Sequence, residues 1–292
     1  MSSSRFYDNN GTYGGAFDNG GGGTLTVLGS TFSGNGADDG GAIDNGDNAG
    51  KGTLILSGST FAANTASPGE SGNGGDGGAI DNGDGGGTGT ITISGATFSG
   101  NGAGTIGGAI KAAGHGTVAV SRSTFSANNA QDGGAIWNTT DTLTVSSSTF
   151  SANSVNGDGA DIDNGDGGST GTVWAAADIF DGFCAKPKRG TWHDLGYNIG
   201  SDGTCLNGGR ADVDHGANLT SLLGPLADNG GPTETMLPLA GNPAFGVVPH
   251  NTTVALNGRN VTLCPTTDQR GLKSTPGHAC DAGAVQVAAA AS

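Results

Sequence analysis

The chain has 292 residues in only 28.1 kDa because 60 are glycine, with 34% hydrophobic and 5% aromatic residues. That is too little apolar material for one thick globular core. A net charge of −15 argues against nucleic acid and anionic membranes, which need clustered Lys and Arg; no stretch approaches the ~18 apolar residues of a membrane span.

The N-terminus, MSSSRFYDNN, lacks a signal-peptide pattern and runs straight into a repeat, so an export signal and a cap are expected upstream of it. From there a phenylalanine recurs in near-copies of STFSGN or STFSAN: Phe6, Phe32, Phe61, Phe98, Phe125, Phe150 and Phe180, spaced by 25 to 37 residues. A second phrase keeps the same beat: GGAFDNGG from Gly14, GGAIDNGD from Gly40 and Gly77, GGAIKAAG from Gly107, GGAIWNTT from Gly133, GADIDNGD from Gly159. Periods of this length mark a solenoid, in which each coil buries its few apolar side chains against its neighbours. The strict register of the apolar positions also argues against disorder, the other reading of a chain so rich in Gly, Ser and Asn.

Within one coil, GGAID reads as a short strand with Ile43 pointing inward and Asn45 on the same side. TLIL follows after a polar turn, with Leu54 and Leu56 inward. A tight turn then leads to inward Phe61 and to Asn64 at a corner. Both asparagines recur from coil to coil: Asn19, Asn45, Asn82, Asn138 and Asn164, with Ala112 interrupting, and Asn9, Asn35, Asn64, Asn101, Asn128 and Asn153. Stacked amides of this kind hydrogen-bond along a stack and satisfy buried corner backbone. Three strands and three corners per coil predict an all-β fold, a parallel β-helix of about seven coils over residues 1–180. Right-handedness is the rule for such crossovers. The longest coil carries the loop SPGESGNGGDGG, which leads into the repeat phrase at Gly77 and Gly78, read as a tolerated insertion.

Residues 181–292 are not repetitive and form a capping region, with Phe183 and Trp192 expected to cover the last rung. All four cysteines lie here. Four allow three pairings; proximity in sequence favours Cys184–Cys205 and Cys264–Cys280. An even count outside the repeats points to disulfides, and so to an oxidising, extracellular setting.

The segments CAKPKRGTWHDLGYNIGSDGTC (184–205), LLGPLADNGGPTETMLPLAGNPAFG (222–246) and CPTTDQRGLKSTPGHACDAGAVQ (264–286) resemble the ending of bacterial choice-of-anchor Q proteins. The repeats resemble the right-handed β-helix of that family and of polymorphic outer-membrane proteins. The resemblance covers nearly the whole chain, and the DNGGPT and DQRG…CDAGA motifs carry it most specifically. It departs from the family at residues 244–247, which read AFGV, and in the ending AAAAS, which is no sorting signal. It implies an exported, surface-attached β-helix protein and no particular activity.

Three surfaces are candidates for function. The residue after each inward Ile reads Asp18, Asp44, Asp81, Lys111, Trp137 and Asp163, and strand alternation sends it outward. With Asp47 and Asp84 in the following turns, Asp44 and Asp81 make an acidic column suited to Ca²⁺; DNGD is equally ordinary turn chemistry. Second, Asp81, Lys111 and Trp137 on adjacent rungs, with His115 at the rim, offer an acid, a base and an aromatic platform. A polysaccharide lyase or glycoside hydrolase would use Asp81, Lys111 and His115 catalytically and hold sugar with Asp44, Trp137 and Asp163. Third, outward threonines pair as Thr24/Thr26, Thr53/Ile55, Thr90/Thr92, Thr117/Ala119, Thr142/Thr144 and Thr172/Trp174. Such ranks resemble ice-binding solenoids, and threonine is also simply a good strand residue. The five histidines are too scattered for a zinc site, and no glycine run opens a phosphate-binding helix. The expectation is therefore a monomeric, secreted or surface-associated scaffold that contacts polysaccharide or a cell-surface glycan without catalysis.

Overall fold

A computed structural model describes residues 1–287 except 48, 70, 71, 73, 84, 85, 166–169, 187 and 188. The repeats wind into a parallel β-helix. A seven-stranded parallel sheet stacks the Ile strands from Phe17–Asp18 to Cys184–Ala185. A second seven-stranded sheet stacks the threonine-rich strands from Thr24–Leu28 to Thr191–Asp194. A nine-stranded sheet carries the phenylalanines and runs from Arg5–Tyr7 to Val213–Asp214. After the asparagine corner a fourth, two-residue strand also pairs, from Gly36–Ala37 to Ser154–Val155, where the sequence suggests only a turn. The sheets thus continue beyond residue 180, and Trp192 pairs with Val173 as the next rung of the inward column. Among the described residues no helix is long and apolar enough to cross a membrane.

Like pairs with like along the stack. Phe32, Phe61, Phe98, Phe125 and Phe150 are fully buried, and their rings stack at 4.7 to 4.9 Å. That is the spacing of neighbouring strands, so each ring fills the void under the next and the core stays close-packed with few apolar residues. Ile43, Ile80, Ile110, Ile136 and Ile162 form the facing column at 0% exposure.

The corner asparagines form a continuous ladder. Asn9, Asn35, Asn64, Asn101 and Asn128 each donate Nδ2 to Oδ1 of the next amide at 2.8 to 3.0 Å. Each acceptor also takes the preceding rung's backbone N–H, as Asn64 N does on Asn101 Oδ1 at 3.0 Å. Asn153 ends the ladder by donating to Asp161 Oδ1 at 3.0 Å. In the second column Ala112 leaves a gap, and Asp141 fills it by accepting Asn82 Nδ2 at 3.1 Å.

The non-repetitive region lies along the flank of the coils. Gln269 Nε2 donates to Thr97 Oγ1 at 2.8 Å, and Thr124 Oγ1 donates to Gln269 Oε1 at 2.7 Å. Ala284 N donates to Thr149 Oγ1 at 3.0 Å, and Gly283 N to the Ala177 carbonyl at 2.8 Å. Thr97, Thr124 and Thr149 are buried by this strap, whereas Thr31 and Thr60, in the same column, are only half-buried. The two specific motifs lock together beneath it. Arg270 pairs with Asp268 at 2.7 Å, and a Cβ on Gly231, at φ +98°, would lie 2.5 Å from the Arg270 Cα.

Both expected disulfides form, Cys184–Cys205 and Cys264–Cys280, and they fit an oxidising compartment. Their sequence separations of 21 and 16 residues correspond to about 3 kcal/mol each on a chain-entropy basis. Coil stability is carried by nearest neighbours. Reduction is therefore expected to speed hydrogen exchange in the last rungs and the strap while the asparagine ladder at residues 35–101 stays protected. Simultaneous loss of protection in both regions would refute this.

Candidate functional site

The acidic column is built by a six-residue unit, Asp-Gly-Gly-Ala-Ile-Asp, at residues 39–44 and 76–81. The first glycine takes a left-handed turn, at φ +62° for Gly40 and +63° for Gly77. A Cβ on Gly77 would lie 2.3 Å from the Ile80 carbonyl oxygen and 2.7 Å from Asp81 N, so only glycine lets the chain fold back so tightly over its own strand. Asp39 and Asp76 bridge in parallel. The fold-back places each unit's opening acid beside the column formed by its closing acid. Carboxylate oxygens of Asp39, Asp76 and Asp81 lie within 4.8 Å of one another.

The rung order is as the sequence predicts: Asp44 pairs with Asp81, Asp81 with Lys111, Lys111 with Trp137 and Trp137 with Asp163. The exposure is not. Asp44, Asp81 and Asp163 are 0% exposed, Lys111 5% and Asp47 6%, and Trp137 is half-buried. These side chains leave the apolar core, as alternation demands, but enter a space closed by the folded-back glycine segments and the following turns. The outward-facing set expected of Asp81, Lys111, Trp137 and Asp163 is thereby corrected to an enclosed polar seam. His115 stands apart in an exposed turn before the Thr117–Ser121 strand, its N–H on Thr140 Oγ1 at 3.2 Å. Asp84 lies outside the described residues.

Lys111 Nζ sits 2.9 Å from Asp76 Oδ2 and 3.1 Å from Asp81 Oδ2, so that among the described residues this buried ammonium pairs with both carboxylates. Asp76 also accepts from Thr105 Oγ1 and donates its N–H to Asp39 Oδ1 at 3.2 Å. Asp44 differs from the other acids of its column. Asp18 and Asp163 accept the N–H two residues on, from Gly20 at 2.7 Å and Gly165 at 2.8 Å, which is the expected turn chemistry. Among the described residues, neither oxygen of Asp44 has a hydrogen-bond partner. Burial, reinforced by the charges of Asp81, Asp47, Asp18 and Asp39, pushes its carboxyl up to about 8. The sequence reading missed Asp39 and Asp76. The signal was the five-residue spacing between acids across a double glycine.

The threonine rank is the clearest open surface. Thr24, Thr53, Thr90, Thr117, Thr142, Thr172 and Thr191 pair in register through the whole sheet, each exposed or half-exposed. The sequence reading stopped at Thr172; Thr191 extends the rank by one rung. The neighbouring rank reads Thr26, Ile55, Thr92, Ala119, Thr144, Trp174 and His193, with the last two rings stacked at 3.7 Å.

In comparisons with protein-family models, curated proteins and solved structures, no match to the chain is found.

Proposed function

We propose that the protein is a non-catalytic, extracellular or surface-associated scaffold that binds a polysaccharide or cell-surface glycan along its flat threonine-rich face. The observation that carries this is the unbroken, in-register rank from Thr24 to Thr191, which repeats one hydroxyl at strand spacing along an open sheet. A periodic polymer of hydroxyl groups is the natural complement of such a ladder. The two disulfides support an exported setting, and the choice-of-anchor Q resemblance supports surface attachment. The lyase or hydrolase alternative loses support because Asp81 and Lys111 are enclosed and ion-paired with each other.

Retention on a glycan array and on insoluble polysaccharides tests the proposal. Replacing Thr90 and Thr117 together with Tyr should lower retention at least ~10-fold, the equivalent of losing about one good hydrogen bond in affinity. No retention on any polymer, or unchanged retention in the double variant, would count against it. The same unbroken rank favours a second reading, ice binding. That reading predicts faceted ice crystals and thermal hysteresis; growth of smooth, unmodified discs would end it.

A further inference from the structure

The enclosed seam brings together the groups that an amide-forming condensation needs. Lys111 follows Asp44 and Asp81 in the column and stands opposite Asp81 on the neighbouring strand. Its Nζ lies 3.1 Å from Asp81 Oδ2 and 2.9 Å from Asp76 Oδ2. Lys111 is 5% exposed and Asp81 0%, so the pair meets with little water. A nucleophile held against an electrophile in this way acts at an effective concentration on the order of 10⁵–10⁸ M. Keeping two opposite charges out of water is costly, and moving one proton from the ammonium to the carboxylate relieves that cost. It leaves a neutral amine and a carboxylic acid, which is the reactive pair. A salt bridge needs one carboxylate; a condensation needs an electrophile and a separate proton carrier. Asp76 touches the same nitrogen and is held by the Thr105 hydroxyl, which places it for that second task.

We infer that Lys111 and Asp81 condense without any enzyme into a side-chain amide that joins neighbouring coils covalently. The Lys111 ammonium first gives one proton to the Asp81 carboxylate. Nζ then bonds to Asp81 Cγ, while Asp76 takes a proton from the nitrogen and returns it to the hydroxyl that leaves Cγ as water. One ammonium and one carboxylate become one amide and one water; Asp76 ends as it began, and nothing is oxidised or reduced. The product removes both charges from the seam. It links residues 30 apart in sequence, and so constrains the unfolded chain as a disulfide would, without depending on redox conditions. The cross-link is internal to the repeat stack and independent of any polymer bound on the threonine face.

The test is the intact mass of the whole chain, denatured and with both disulfides reduced. The mass should fall one water below that of the sequence, and proteolysis should release a branched peptide joining the segments of Asp81 and Lys111. Lys111→Arg keeps a cation between the carboxylates, but its guanidinium stays protonated and does not attack; this variant should show the full mass. Asp76→Ala should slow closure at least ~100-fold, the ordinary contribution of a proton carrier, and leave most of the chain at full mass where the wild type is closed. Circular dichroism checks that both variants fold, and the wild-type mass decides by itself if either does not. A wild-type chain that keeps its full mass after prolonged incubation at neutral pH would overturn the inference. So would a water loss that persists in Lys111→Arg, or one that maps to a succinimide at an Asp-Gly step such as Asp76–Gly77. Closure of folded Asp76→Ala at the wild-type rate would overturn the role given to Asp76.

Discussion

Asn101→Ala is expected to destabilise the protein by about 3–5 kcal/mol, because it leaves several buried polar groups unpaired at once. Asn101 sits at mid-ladder and is 1% exposed. Its Oδ1 accepts both Asn64 N at 3.0 Å and Asn64 Nδ2 at 2.9 Å. Its Nδ2 donates to Asn128 Oδ1 at 2.9 Å and to the Phe61 carbonyl at 3.0 Å. Alanine deletes all four bonds and supplies none, in a space too closed for bulk water to substitute. Asn9→Ala, at the exposed end of the same ladder, should cost about 1 kcal/mol or less. Denaturant midpoints of the two variants make the comparison. Equal losses would show that the ladder is not a cooperative element.

The second large effect is an inverted pH dependence. Asp161 and Asp178 are fully buried, and burial is the leading cause that raises both carboxyls, Asp161 to about 7 and Asp178 well above the ordinary 3.8. Hydrogen bonds oppose this, from Asn153 and Gly182 on Asp161 and from Ser148 and Ala176 on Asp178. The neighbouring charges of Asp181 and Asp202 reinforce the rise on Asp161, and that of Asp194 on Asp178. The folded state therefore holds protons that the unfolded chain releases near pH 3.8. Stability is highest below that value and falls as pH rises towards the folded-state pKa. Three pH units on Asp161 alone correspond to at most about 4 kcal/mol, with Asp178 acting in the same direction. Melting temperatures measured from pH 4 to 8 should decline steadily, and Asp161→Asn should flatten the decline. A melting temperature that climbs between pH 4 and 7 would contradict the assignment.

The core of the fold was legible because the chain repeats its own evidence. Phe32, Phe61, Phe98 and Phe125 each stand three residues before a corner asparagine, Asn35, Asn64, Asn101 and Asn128, so one coil read correctly fixes the register of the rest. The pairing of Asp81 with Lys111 and of Lys111 with Trp137 followed from the same register. What alternation could not tell was where an outward side chain ends up. Asp44 and Asp81 face away from the apolar core and are still buried, because Gly40 and Gly77 fold the chain back across them. That burial depends on a backbone turn, not on side-chain period. The strap was equally hidden. Gln269 meets Thr97 across 172 residues of sequence, and nothing periodic announces such a contact.

The strap also bears on how the protein can change in length over evolution. Solenoids lengthen when a coil's coding sequence is duplicated, and a new coil ordinarily slots in wherever it arises. Here Gln269 is bound to the rungs of Thr97 and Thr124, and Ala284 to the rung of Thr149. One coil inserted among these would shift Thr149 by a strand spacing, ~4.8 Å, away from a partner whose position is already set by Gln269. A coil added beside Thr31 disturbs none of those bonds. The strap works as a gauge: it fixes the number of coils beneath it and leaves growth by duplication to the N-terminal rungs.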